Sequence, residues 1–239
     1  MMDRDMTIFR RFNEVDERYL SSDKHIHTCF VDGEGTVRNI VKEASVRGLN
    51  QIAITDHMRK DSTYSAGYFD EIEKQASLSD IQVLKGFEAK IKDFDGNIDI
   101  SDDVLSRAEV GIASVHRFPM GNRLCFPEEF DKKICQEIEL ELTLNAVKKG
   151  ICNVIGHPGG MSIRAYGEFP SEFFEEIIDA CSKSNIAFDI NSAYHVNAAK
   201  QVAGILKRYD PFVSFGSDAH SLDRIGECLQ DVWRECTNV

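Results

Sequence analysis

The sequence predicts an α/β fold of parallel strand–helix units, and three observations predict it. Short apolar runs rich in Ile, Val and Phe recur without polar alternation, as strands covered on both faces require. Helical patterns separate them. No low-complexity segment or Pro/Gly/Ser linker breaks the alternation, so residues 1–239 read as one domain, within the size range of single-domain α/β barrels. Parallel strands need long crossovers, which should be right-handed. The alternation alone does not choose between an open sheet and a closed one.

In order, the strands are KHIHTCF, QIAIT, IQVLKGFEA, VGIASV, ICNVIG, IAFDI and FVSFGS. The first helical pattern, TVRNIVKEASVRG, begins at a capping Thr36 and stops at Gly48. FDEIEKQASL, EIELELTLNAVKKG, SEFFEEIIDACSKS and NAAKQVAGILKRY follow, and a closing SLDRIGECLQDVWREC begins at a capping Ser221. After the third strand, DFDGNIDIS reads as a short hairpin turning at Asp95–Gly96.

Composition narrows the class. With 42% apolar and 28% charged residues the chain is an ordinary globular one. Its formal charge of −12 repels nucleic acid and anionic membrane on average, without excluding a local positive site. The opening MMDRDMTIFRRFNEVDE lacks a signal-peptide core, and no apolar run is long enough to span a membrane. Seven scattered cysteines, never in CxxC, suggest a cytoplasmic protein with reduced thiols. Most read as small buried apolar residues. Cys29 lies beside a histidine pair, where a role near a metal stays open.

The histidines carry the functional signal. Six of the seven fall at predicted strand ends: His25 and His27, His57, His116, His157 and His220. Glu88 and Asp218 end strands too. In a parallel α/β barrel these ends form one face, where active sites are built. Side chains i and i+2 on a strand point the same way, so His25 with His27, and Asp218 with His220, reach common centres. A single histidine at a strand end is most often structural; six, with acids among them, make a metal cluster. Imidazole and carboxylate suit zinc, manganese or iron. One metal takes roughly four to six ligands. The surplus, with Asp32 or Asp56 added, points to two or three divalent ions sharing carboxylates. Paired metals activate water and hold a phosphoryl group.

HIHTCFVDG (25–33), AITDH (53–57), GFEAKI (86–91), SVH (114–116), GHPG (156–159) and FGSDAH (215–220) resemble, in order, the motifs of the PHP (polymerase and histidinol phosphatase) family. The set spans nearly the whole chain. The resemblance implies a distorted (β/α)7 barrel, TIM-barrel-like, with a trinuclear metal site and phosphoester hydrolysis. The family's ligands fall on His25, His27, His57, Glu88, His116, His157, Asp218 and His220. A ninth is Asp32 in many members. In others it is a His one place later, where this chain has Gly33, so the assignment goes to Asp32, although DGEG is also turn chemistry. Asp56, facing away from His57 on a regular strand, reads as orienting a ligand imidazole.

The expected reaction is attack by metal-activated water on a small phosphorylated substrate. Arg117 and Arg164, in strand-to-helix loops on the active face, are the candidate phosphate holders. Arg224 reads as a helix residue. Asn191 is a candidate substrate contact. His195 is either a general acid for the leaving oxygen or a loop histidine, and Tyr194 and Tyr166 are candidate lining residues. The acidic charge and the lack of a basic tract argue against long nucleic acid, and no membrane partner is expected. Histidinol phosphate is one named candidate substrate; no long lid is visible to shape a narrow pocket. Two other readings stand beside this one. The first is an amidohydrolase-type C–N hydrolase, which also begins with His-x-His but normally has an eighth strand ending in Asp. The second is a non-catalytic metal-binding scaffold, against which the full ligand set argues. Oligomeric state is not legible.

Overall fold

A computed structural model describes residues 6–121 and 123–227. In chain order these form β1 (Arg10–Arg11), α1 (Glu17–Leu20), β2 (Ser22–Ile26), α2 (Val37–Val46), β3 (Gln51–Ile54), β4 (His57–Met58), α3 (Ser65–Ala76), β5 (Gln82–Lys90), α4 (Asp102–Arg107), β6 (Val110–Ser114), β7 (Phe118–Met120), β8 (Arg123–Cys125), α5 (Lys132–Lys149), β9 (Val154–Ile155), α6 (Gly160–Tyr166), α7 (Ser171–Ser182), β10 (Ala187–Asn191), α8 (Ser192–His195), α9 (Ala199–Tyr209) and β11 (Phe212–Gly216).

The seven expected strands are present and parallel, in the spatial order β2-β3-β5-β6-β9-β10-β11. Every residue of β2, β6 and β10 is buried, as strands covered on both faces should be. First and last strands meet at their C-terminal ends. Ile26 and Ala219 form a single parallel bridge. The His27 N–H donates to the Ala219 carbonyl (3.0 Å), and the Asp218 N–H to that of His25 (2.9 Å). At the other end β1 pairs antiparallel with Phe212 and Val213, taking the edge of β11 that β2 would otherwise meet. The first and last parallel strands therefore meet through this one bridge at the end bearing the histidines, and β1 lies beside β11 at the other.

Alternation sorts the core into two layers. Ile52 and Ile54 pack outward in the large strand–helix core. Ala53 packs instead with Leu84, Val110, Ile112, Val154 and Ala187, which follows from the two-residue period of a strand. Phe9, also buried, completes this second cluster. Helix starts follow their caps: Thr36 accepts from the Asn39 N–H (3.2 Å) and Asp131 from that of Ile134 (3.1 Å).

The short hairpin at DFDGNIDIS is present: Ile91 and Ile98 form an antiparallel bridge, the Lys92 N–H donates to the Asn97 carbonyl and the Asp99 N–H to that of Lys90 (both 2.9 Å), and the turn passes through Gly96 at φ 72°. One expectation changes. The closing helix is a 3-10 turn at Leu222–Arg224, and its predicted continuation from 228 lies outside the described residues. The β7–β8 hairpin, turning through Gly121 at φ 61°, was not anticipated.

Candidate metal centre

The strand ends converge as their order requires. Glu88, near the end of β5, is buried at the middle of the cluster. Its Oε1 lies 3.0 Å from His157 Nε2, 3.1 Å from His116 Nε2 and 3.5 Å from His25 Nε2; its Oε2 lies 2.8 Å from His57 Nδ1 and 3.7 Å from His27 Nε2. Asp218 Oδ1 is 3.0 Å from His27 Nε2 and 3.7 Å from His25 Nε2. Four sets of donor atoms stand close enough to share an ion: His25, Glu88 and His157; His25, His27 and Asp218; His57, Glu88 and His116; and an outer set of His27, Asp32, His57 and His220. Shared members join the sets into one cluster.

The cluster's own chemistry tests whether cations fit. His25 Nε2 and both ring nitrogens of His27 are buried without a hydrogen-bond partner, an arrangement that costs free energy unless something satisfies it. Burial alone would raise the Glu88 carboxyl, but His116, His25 and His57 outweigh it and hold it well below the ordinary range. Burial opposes protonation of His27 and lowers it to about 4, so it presents lone pairs at neutral pH. Asp218 has the same electrostatics as Glu88: burial raises it, and His25 and His27 pull it down further than burial lifts it. Burial also opposes protonation of His25, His57 and His157, but the same carboxylates outweigh it and raise all three, His57 to about 9. A divalent cation, which requires neutral imidazoles around ionised carboxylates, would therefore bind by displacing protons from them. His157 (φ 25°) and Asp218 (φ 55°) also hold positive backbone angles, which cost about 1–3 kcal/mol each and collect at functional sites.

Local contacts set the donor side chains. The Asp189 carboxylate, below the cluster on β10, receives three groups on Oδ2: His25 Nδ1 (3.1 Å), the His157 N–H (3.2 Å) and Asn191 Nδ2 (3.1 Å). It fixes the His25 ring with Nε2 facing the centre. Gly216 leaves room for this: a Cβ there would stand 2.4 Å from His25 Cβ and 2.9 Å from Asp189 Oδ1. Gly33 is equally constrained, since a Cβ would stand 2.4 Å from the His27 carbonyl oxygen. No side chain fits there without moving the loop, which leaves Asp32 as the outer acid, 3.4 Å from His57 Nε2 and 3.5 Å from His220 Nε2.

The eight strand-end residues and Asp32 thus come together. Arg117 and Arg164 line the cleft of about 930 Å³ above them, as does Tyr194. Arg117 donates to the His116 carbonyl (2.8 Å) and lies over the Phe126 ring at 3.9 Å. Other expectations need correction. Asp56 touches no imidazole; it accepts from the Thr28 N–H and hydroxyl, both at 2.8 Å, and so braces the chain just after His27. Burial raises its carboxyl to about 7. Asn191 is buried with both amide ends engaged, Nδ2 on Asp189 and Oδ1 accepting from the Ala193 N–H (2.9 Å); it does not face the cleft. His195 is buried too, its Nε2 on the Pro158 carbonyl (2.9 Å) and its Nδ1 accepting from the Asn191 N–H (3.2 Å). It braces the loop after β9 and is no general acid. Arg224 pairs with Glu227 and does not line the cleft, nor does Tyr166, which donates to the Phe130 carbonyl. Cys29 is exposed and in none of the donor sets. Asp189 was missed; an acid inside the apolar run IAFDI was its only signal.

Residues 23–193 match the model of the PHP domain. The chain belongs to the PHP family. The "Probable phosphatase" of Caldicellulosiruptor bescii is 29% identical over 220 residues, covering 88% of this chain and 84% of that one. The DNA polymerase/3'-5' exonuclease PolX of Bacillus subtilis is 25% identical across 92% of this chain but only 39% of its own length. A candidate histidinol phosphatase from Listeria monocytogenes shares the fold, with a TM-score of 0.67, 16% identity, and 86% and 97% of the two chains covered. A chain of an archaeal ribonuclease P bound to mature tRNA shares it more loosely, with a TM-score of 0.52 and 11% identity over 91% and 90%.

Proposed function

We propose that this PHP chain is a metal-dependent phosphoesterase that hydrolyses a small phosphate ester at a multinuclear centre. The observation that carries the reading is Glu88, a buried carboxylate placed among His25, His57, His116 and His157 at the floor of a cleft lined by three arginines, Arg59, Arg117 and Arg164. His25, His27, Glu88, His116, His157 and Asp218 would hold the inner ions, with Asp32, His57 and His220 on the outer one. Zinc, manganese or iron bound there would neutralise phosphoryl charge and make water nucleophilic at neutral pH. The chain supplies the rest. Arg117, braced by Phe126 and the His116 carbonyl, and Arg164 present planar forks to the phosphoryl oxygens. Tyr194, its hydroxyl pushed up to about 12 by burial, stays protonated and donates to the ester. The relatives' names support a phosphatase, and the fold shared with a candidate histidinol phosphatase keeps histidinol phosphate as one substrate to test. No helix among the described residues is long and apolar enough to cross a membrane, and the free thiols suit a cytoplasmic setting.

Manganese- or zinc-loaded protein is expected to release phosphate from an aryl phosphate, and His157→Ala to lose at least about 100-fold in rate. An active His157→Ala, or a metal-loaded wild type that cleaves an amide and no phosphate monoester or diester, contradicts the reading.

A further inference from the structure

We propose that the cleft takes a phosphate ester bearing a second anionic group, and that Arg59 and Lys90 form the subsite for that group. The inference rests on the phosphoester reading above. Strands β4 and β5 run parallel, pairing His57 with Glu88 and Met58 with Ala89. The pairing ends there, and Arg59 is the first residue after β4, as Lys90 is the last of β5. Residues two apart on a strand share a face, so Lys90 follows Glu88 along β5. Both line the cleft. At roughly 3.3 Å per residue Lys90 stands about 6–7 Å along β5 from Glu88, and Arg59 adds a second cation to the lining outside the metal-donor sets. The reacting phosphoryl group, seated on the ligand layer with Arg117 and Arg164, does not need them.

The surrounding charge is selective. The chain has 40 acidic residues against 28 basic ones, yet the acids lining the cleft, Asp32, Glu88 and Asp218, all belong to the metal-donor sets. Arg59 has no carboxylate partner among the described residues. Lys90 has one, Asp99, at 3.7 Å, and that acid also accepts from the Lys60 N–H at 3.4 Å. A long, partly exposed pair of this kind contributes little; it steadies Lys90 and leaves its charge toward the cleft. The same cleft is also lined by apolar and aromatic side chains, Val31, Tyr64 and Leu124. Such a wall suits a carbon skeleton joining two anionic ends.

Butane-1,4-bisphosphonate and butylphosphonate share a carbon chain and cannot be hydrolysed. In calorimetric titrations of manganese-loaded protein, the bisphosphonate should bind at least about tenfold tighter. In an Arg59→Gln/Lys90→Gln double variant, confirmed folded by its thermal melt, the gap should fall to about the twofold statistical advantage of two identical ends. Equal affinities in the wild type overturn the proposal, and so does a tenfold gap that survives the double substitution. Butylphosphonate separates the two readings. If it binds and blocks aryl phosphate cleavage while the gap is absent, only the second subsite falls. If neither phosphonate binds, the phosphoester reading falls with it.

Discussion

Asp189 shows what a single buried carboxylate does for a site it never enters. It fixes the His25 ring and holds the His157 N–H, so its loss would free two candidate ligands at once. Asp189→Asn keeps the shape and removes the charge. Metal affinity should fall about 10–100-fold, measured by competition with a fluorescent chelator; unchanged affinity would contradict the role. His195 makes a different prediction. Burial lowers it from 6.5 to about 4, so the unfolded chain takes up a proton first as pH falls. The stability tied to it is complete above about 6.5 and is lost as pH falls through about 4, amounting to about 3 kcal/mol. Urea unfolding of metal-free wild type and His195→Gln should show a stability gap that shrinks from pH 7 to pH 4.5. A constant gap would contradict it. The sequence pattern alone pointed to the strand-end histidines, because their positions repeat. It could not reveal the buried partners, because Asp189 and Asn191 look like strand residues until β10 lies beside β9 and β11.

At the level of elements, close approach decides the site. Gly216 on β11 lets that strand pass the His25 ring, and Gly216→Ala forces a Cβ into it. Overpacking of this kind typically costs about 1–3 kcal/mol, and here it should lower metal content as well as the urea midpoint. A variant with normal metal content would show that β11 can shift without moving His25. The loop after β2 carries Asp32, which is 44% exposed beside the half-open His57 and His220. Asp32→Ala should therefore lose one metal equivalent by elemental analysis while the buried ions remain; an unchanged count removes Asp32 from the ligands. All seven parallel strands were legible as apolar runs. The β7–β8 hairpin was not, because its strands are three residues each and rest on Phe118 and Cys125 packing inward.

For the whole molecule, the question that alternation left open turns on one contact between the first and last parallel strands. The bridge from Ile26 to Ala219 joins residues almost 200 positions apart, and nothing local in either segment announces it. Joining β2 to β11 is also what completes the donor set that combines His25 and His27 with Asp218. Metal binding and ring closure should therefore be linked: bound ions stabilise the closed fold by mass action, by about 4 kcal/mol at a thousandfold excess over Kd. The most direct test of a multinuclear hydrolytic centre is to titrate metal-free protein with manganese while following phosphate release from an aryl phosphate. The account predicts little release at one equivalent and a steep rise once a second ion binds. Full activity in the metal-free protein, or at a single equivalent, would contradict it.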